Sequence, residues 1–255
     1  MKTETNEILS FKDVSFGYEA TQKLISKLSM SIKQGEFVSI IGASGSGKST
    51  LFRLIVGLEE PDSGNILLAK KKVHNRLGKV GYMPQQDLLM PWRTVRENAA
   101  LPLELKSKHL IKNHNIDKLL IEFGLGGYEK KYPHELSGGM RQRVSFLRAT
   151  LTGSNLLLLD EPFSALDAMT KLFMQEWLLE QWSKRDSTIL FITHDISEAL
   201  FLSDRIFVLT ETPVQKLEEV IVPIQRPRTQ KDLHSPEVLA LKEQLIDRFR
   251  AQVNT

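Results

Sequence analysis

Residues 42–50 read Gly-Ala-Ser-Gly-Ser-Gly-Lys-Ser-Thr, a run that fits G-x-x-x-x-G-K-[ST]. It follows Glu36–Ile41, an apolar run with the length of a buried strand. It precedes Leu51–Val56, whose pattern is that of a helix closed by Gly57. The loop therefore joins the end of a strand to the start of a helix. Gly42, Gly45 and Gly47 let the backbone curl tightly and aim its N–H groups inward past Ala43, Ser44 and Ser46. A helix N-terminus adds unpaired donors and a partial positive charge. Lys48 supplies a point charge and Ser49 a hydroxyl. Together these groups form a cradle for the β- and γ-phosphates of a nucleotide, with Ser49 directed to Mg²⁺. A plain Gly/Ser-rich turn is the competing reading, and the strand before and helix after weigh against it.

The 255 residues suffice for one large or two modest domains. Lys and Arg number 34 against 31 Asp and Glu, a net +3 too small to argue for a nucleic-acid partner. The one short basic run, Lys70–Lys72, reads as a solvated hairpin. With no cysteine there is neither a disulfide framework nor thiolate chemistry, which fits a reducing compartment. Met1–Ser10 is polar and does not read as a signal peptide. No apolar run approaches the ~18 residues of a membrane span, so a membrane role must pass through a partner.

Working outward, Ile8–Phe16 and Leu28–Ile32 read as strands, and Asn65–Ala69 and Lys79–Met83 as short strands around the lysine-rich turn. From Asp87 to about Ser154 the apolar spacing turns helical. Val95–Leu105, interrupted by Pro102, and Leu110–Gly124 are expected helices, and Ser137 is expected to cap a third through about Leu151. Leu156–Leu159 and Thr188–Thr193 read as strands buried on both faces, as in a parallel sheet. Ala168–Lys184 and Ile196–Leu202 read as helices and Arg205–Thr210 as a strand. Ser235-Pro236 opens a last amphipathic helix with Val238, Leu241, Leu245 and Phe249 on one face. The sum is an α/β core (8–86 and 155–225), a helical insert (87–154) and a helical tail (226–255).

Asp160 and Glu161 end a buried strand, where ligands bind at the carboxyl edge of a parallel sheet. Asp160 has the position to hold Mg²⁺ through water, and Glu161 to orient or deprotonate a water attacking the γ-phosphate; a pair of loop acids is the bland alternative. Gln85 follows a short strand and a proline; its neutral amide suits a Mg²⁺ ligand. His194 ends another buried strand and suits a hydrogen bond to a γ-phosphate oxygen, although a lone histidine is more often a surface group. The remaining histidines, His109 and His114 among them, show no ligand spacing. Leu136-Ser137-Gly138-Gly139-Met140 makes a second anion-ready helix start. It lies in the helical insert, so a head-to-tail pair of chains would bring it to a phosphate loop more readily than one chain would.

In order along the chain, these residues resemble the motifs of the ABC transporter ATP-binding subunits. Gly42–Thr50 resembles the Walker A motif, Leu156–Glu161 the Walker B, Leu136–Met140 the signature, Gln85 the Q-loop, Ser164–Asp167 the D-loop and His194 the H-loop. Tyr18 is placed like the aromatic that stacks on adenine. The resemblance implies an α/β fold: a P-loop NTPase core with a mixed sheet, an N-terminal antiparallel β subdomain and an inserted helical subdomain. It implies ATP and Mg²⁺ as cofactors, Lys48, Ser49 and Thr50 on phosphates and metal, and Glu161 and His194 at the reacting phosphate. In a head-to-tail homodimer, Ser137, Gly138 and Gly139 would reach the partner's ATP and Asp167 would lie across the seam. The implied partners are a permease and, through it, a solute-binding protein, at the cytoplasmic face of the membrane. Leu88–Asn98, with its Leu-Met-Pro-Trp core, and Arg226-Pro227-Arg228 are similar to stretches of nitrate, sulfonate and taurine importer ATPases. An exporter ATPase, a soluble ATPase acting on nucleic acid or ribosome, and a nucleotide-gated module that barely hydrolyses are the alternatives; the single cassette, the near-neutral charge and the presence of both Glu161 and His194 weigh against the last two.

Overall fold

The computed structural model describes residues 6–19, 22–43, 45–106 and 115–253. Ser44, His109 and His114, and the expected start of a helix at Leu110, lie outside the described residues. The chain divides into two compact units: Met1–Leu77 with Asp186–Thr255, and Gly78–Arg185.

The first unit begins with an antiparallel sheet in the order β2-β1-β4-β5, formed by β1 (Glu7–Phe16), β2 (Ile25–Lys33), β4 (Ser63–Leu68) and β5 (Lys71–Lys72). The lysine run thus closes a hairpin through Ala69 and Lys70, both at positive φ. The second layer is built on β3 (Phe37–Gly42), all six residues buried. It pairs in parallel with β8 (Thr188–Ile192) on one side and β9 (Arg205–Leu209) on the other, while β10 (Glu218–Ile221) adds antiparallel to β9. The sheet is therefore mixed. Burial on both faces explains the unbroken apolar runs.

Helix α1 (Lys48–Val56) leaves β3 through the glycine loop and stops at Gly57, whose φ of 88° needs a residue without a side chain. Helix α6 (Ile196–Leu202) and the C-terminal α7 (Pro236–Val253) pack over β3 and β9, where Ile41, Ala199, Leu200, Val208, Val238 and Leu245 share one core.

The second unit holds a parallel pair, β6 (Gly81–Met83) and β7 (Leu156–Asp160), in the register Gly81↔Leu157 to Met83↔Leu159. Its helices are α2 (Val95–Lys106), α3 (Ile116–Glu122), α4 (Gly138–Thr150) and α5 (Ala168–Ser183). Gly81 lies so close to α4 that a Cβ would fall 2.6 Å from the Ala149 carbonyl. Helix α2 corrects one expectation: it runs through Pro102 without a break. Burial of Val95, Ala99, Ala100 and Leu103 on one face outweighs the roughly 3 kcal/mol a helical proline costs.

Candidate functional site

In the first unit the phosphate-loop residues meet their geometric requirement. Gly45 and Gly47 sit at φ 79° and 95°, left-handed values that β-carbons resist. Gly47 occupies the cap position of α1 and has no side chain with which to cap it. Amides of the first helical turn are donors of the kind an anion can use. Lys48 is 6% exposed, and its Nζ donates to the carbonyls of Gly42 at 2.8 Å and Ala43 at 2.7 Å, so the ammonium folds over the loop. The Ser46 hydroxyl is buried without a hydrogen-bond partner among the described residues. Ser49 is exposed at the start of α1. A cavity of about 230 Å³ adjoins the loop, lined by Ala43, Gly45, Ser46 and residues 209–212.

Tyr18 stands beside this helix. Its hydroxyl lies 3.2 Å from Thr50 Oγ1 and accepts from Arg53 Nη1 at 3.3 Å, and its ring packs edge-on against Phe16 at 5.0 Å. The residue as a whole stays more than half exposed. His194 follows β8 and is exposed. Thr193, beside it, donates through Oγ1 to Glu198 Oε2 at 2.5 Å and accepts from the Asp195 amide at 3.0 Å.

In the second unit β6 and β7 end side by side and bring two sequence candidates together: Gln85 Nε2 donates to Glu161 Oε2 at 3.1 Å. Glu161 has a φ of 43°, an uncommon conformation for a residue with a side chain, of the sort that collects at functional sites. Ser164 steadies it by donating from its amide, at 3.2 Å, and its hydroxyl, at 3.0 Å, to the Glu161 carbonyl. Asp160 is 6% exposed with Tyr82 Oη 3.5 Å away. Ser137 caps α4 by accepting from the Met140 amide at 3.3 Å. Gly138 and Gly139 lie close to Leu166 and Thr170, each of which would be 3.1 Å from an added Cβ. Asp167 caps α5 through the Thr170 amide at 3.0 Å, and hydrogen bonds from Thr170 hold its carboxyl below the ordinary 3.8.

Sequence reasoning missed the clamp on the segment after Gln85. Arg141 Nε donates to Asp87 Oδ2 at 3.1 Å, Ser145 Oγ to the Asp87 carbonyl at 3.3 Å, and Arg148 Nη1 to the Leu88 carbonyl at 2.8 Å. From the other side Asn98, 0% exposed, accepts from the Met90 amide at 2.8 Å and donates to the carbonyls of Met90, Arg93 and Thr94. A signal was present: 141, 145 and 148 fall on one helical face. Their shared target did not follow from it. Between this segment and α4 lies a cavity of about 520 Å³, lined in part by Gln85, Gly138, Arg141 and Leu166. Leu88, which also lines it, and Trp92 are exposed, 60% and 73%.

The uncapped α1 terminus, the folded Lys48 and the unpartnered Ser46 hydroxyl fit a nucleotide's phosphates. Among the described residues no cluster of three His, Cys, Asp or Glu side chains is built to hold a metal alone. In the first unit the Ser49 hydroxyl, and in the second the amide oxygen of Gln85 and the carboxylate of Asp160, are each the kind of oxygen donor Mg²⁺ takes, an ion bound largely through phosphates and water. Among the described residues no helix is long and apolar enough to cross a membrane.

Residues 25–164 match the family described as ABC transporter. The formylaminopyrimidine import ATP-binding protein ThiZ of Halalkalibacterium halodurans is 52% identical over 218 residues, 85% of each chain. An aliphatic sulfonates import ATP-binding protein, SsuB of Bacillus cereus, is 39% identical over 230 residues, 89% of this chain and 90% of its own. Among solved structures, the dimeric post-hydrolysis state of the ATP-binding cassette MJ0796 bound to ADP and Pi superposes with a TM-score of 0.70 at 30% identity, covering 85% of this chain and 100% of that one. CbiO1 of Clostridium perfringens, part of the ABC transporter complex CbiONQ, shares the fold at a TM-score of 0.75 and 24% identity, covering 94% and 95%.

Proposed function

Because the chain belongs to the ABC transporter family of ATPases, we propose that it is the energy-coupling subunit of a solute importer. The observation that carries this reading is the 52% identity, over 85% of both chains, to a protein named for import. The excess over the 39% shared with the sulfonate protein favours a formylaminopyrimidine-like cargo over a sulfonate. The cassette works at the cytoplasmic face of the membrane, held there by a permease that receives cargo from a solute-binding protein. The exposed Leu88 and Trp92, on a segment fixed by Arg141, Arg148 and Asn98, suit a seat for a permease helix. On this reading 87–154 acts as the helical subdomain and 226–255 as a tail on the core.

ATP with Mg²⁺ supplies the phosphoryl bond whose hydrolysis drives the cycle. Gly42, Ala43, Ser44, Gly45, Ser46, Gly47, Lys48, Ser49 and Thr50 bind and orient the phosphates, and Tyr18 stacks on the base. Ser49, Gln85 and Asp160 hold the metal. Glu161, steadied by Gln85 at 3.1 Å, takes the proton of the attacking water. His194 donates to the γ-phosphate, and Lys48 offsets charge on its oxygens. Ser137, Gly138 and Gly139 close the site of a second copy of the chain, with Asp167 at the seam, so each homodimer carries two composite sites.

Mixing two inactive variants tests the shared site. Ser137→Arg is expected to bind ATP without turnover, and Lys48→Ala to lose phosphate contact. A mixed dimer rebuilds one intact site from the Lys48 of one chain and the Ser137 of the other. Recovery of roughly a quarter of wild-type turnover is expected on statistical pairing, with half the dimers mixed and one site in each. No recovery at any mixing ratio would refute the composite geometry.

A further inference from the structure

Arg226-Pro227-Arg228 has no part in the chemistry above, yet its two guanidiniums are among the best-anchored groups in the first unit. Helix α6 starts two residues after His194 and is only seven residues long. A helix this short does not hold its own shape, and the carbonyls of its last turn lack partners within it. Arg228 Nη1 donates to the Ser203 carbonyl at 2.5 Å and lies 3.4 and 3.5 Å from those of Phe201 and Leu200. Arg226 Nη2 donates to the Leu202 carbonyl at 2.5 Å. The last carbonyls of α6 are thus met by two side chains from a distant segment.

The same arginines tie α6 to the strand that feeds the phosphate loop. Arg226 Nε donates to Asp204 Oδ1 at 2.7 Å, and Asp204 Oδ2 accepts from the Phe37 amide, where β3 begins, at 3.0 Å. Arg228 also holds its own chain, donating to the Ile224 carbonyl from Nη2 at 2.7 Å and Nε at 3.1 Å. Its side chain is 2% exposed, and burial pushes its pKa down to about 10. At the other end of α6, Asp195 caps the helix and Thr193 is bonded to Glu198. Val238 and Leu245 of α7 cover Ala199 and Leu200.

We propose that Arg226 and Arg228 form a latch that fixes α6 at its C-terminal end and so holds the His194 loop, which makes both positioning residues for ATP hydrolysis. The inference rests on the assignment of His194 to the γ-phosphate. A lysine keeps the charge and loses the planar fork that spans Ser203 and Ile224, so Arg228→Lys is the informative change. Arg226→Lys, at a side chain 24% exposed, is the milder second variant should the first fail to fold.

In the full chain, kcat is expected to fall roughly tenfold in Arg228→Lys and several-fold in Arg226→Lys, while affinity for a fluorescent ATP analogue stays within about twofold. The His194 imidazole NMR signal, assigned through His194→Asn, is expected to broaden or split in both. His194→Ala separates the part His194 plays in hydrolysis from the hold of the latch on its loop. Full turnover in that variant removes His194 from the reaction and the kcat expectation with it, whereas the imidazole signal still tests the latch. If His194→Ala loses turnover but the folded arginine variants keep wild-type kcat and a sharp signal, the latch is wrong. An equal loss of nucleotide affinity would overturn it as well, because the lesion would then be general loosening.

Discussion

Replacing Asn98 with alanine isolates the bonds that hold the segment after Gln85. Two of the carbonyls that Asn98 meets have other partners: that of Met90 accepts from the Arg93 amide at 3.0 Å, and that of Thr94 from the Asn98 amide at 2.9 Å. The alanine variant therefore takes a partner from the Met90 amide, bonded at 2.8 Å, and from the Arg93 carbonyl, bonded at 3.0 Å. An unmet backbone group costs about 1–3 kcal/mol, and both residues are half-buried, so water recovers part of it. A local loss of about 2 kcal/mol follows. Hydrogen exchange of the Met90 amide is the direct assay, because opening of this segment exposes it. Exchange roughly thirtyfold faster than in the wild type corresponds to that loss. Asn98→Asp keeps an acceptor for Met90 and should fall in between. If Met90 in Asn98→Ala exchanges within about twofold of the wild type, the clamp does not hold the segment.

Glu161→Gln is expected to retain nucleotide affinity and lose turnover by at least about a hundredfold, read by phosphate release; normal turnover would take the water-activating role from Glu161. The Asp167 carboxyl should titrate below 3.8 by NMR. Its folded pKa is depressed, so its capping contribution is complete above the unfolded value and is lost as pH falls through the folded one; Asp167→Asn should remove that part of the acid dependence. Leu245 is fully buried in the core shared by α6 and α7, so Leu245→Ala should lose about 2–5 kcal/mol in guanidinium unfolding. A loss below about 1 kcal/mol would mean that α7 is not part of that core.

The phosphate loop was legible because everything it needs is local: an apolar strand, glycines at the left-handed positions, and a helix start. Ser137 and Ser235 marked helix starts for the same reason, each acting within a few residues of itself. Strand β10 left no such mark. Its sequence, Glu218-Glu219-Val220-Ile221, alternates neither in charge nor in burial-prone residues, and only pairing with β9 makes it a strand. Pro102 misled in the other direction, since local propensity forecasts a break that burial of one face of α2 overrides. Nothing local to Arg141, Arg148, Asn98, Arg226 or Arg228 shows what each would bind. Their partners are mostly backbone carbonyls far along the chain or across a loop, and a carbonyl carries no side-chain signature. Gln85 and Glu161 were each legible as strand-end residues, but their contact required β6 and β7 to lie in register.

In the proposed cycle two copies of the chain close around shared nucleotide, and the mass of Glu161→Gln in solution reads that closure. Measured by light scattering with ATP and Mg²⁺ at micromolar protein, the variant should run at twice the 29.0 kDa of the single chain and return to that single-chain mass when nucleotide is removed. A mass of 29.0 kDa under both conditions, with nucleotide bound, would contradict it.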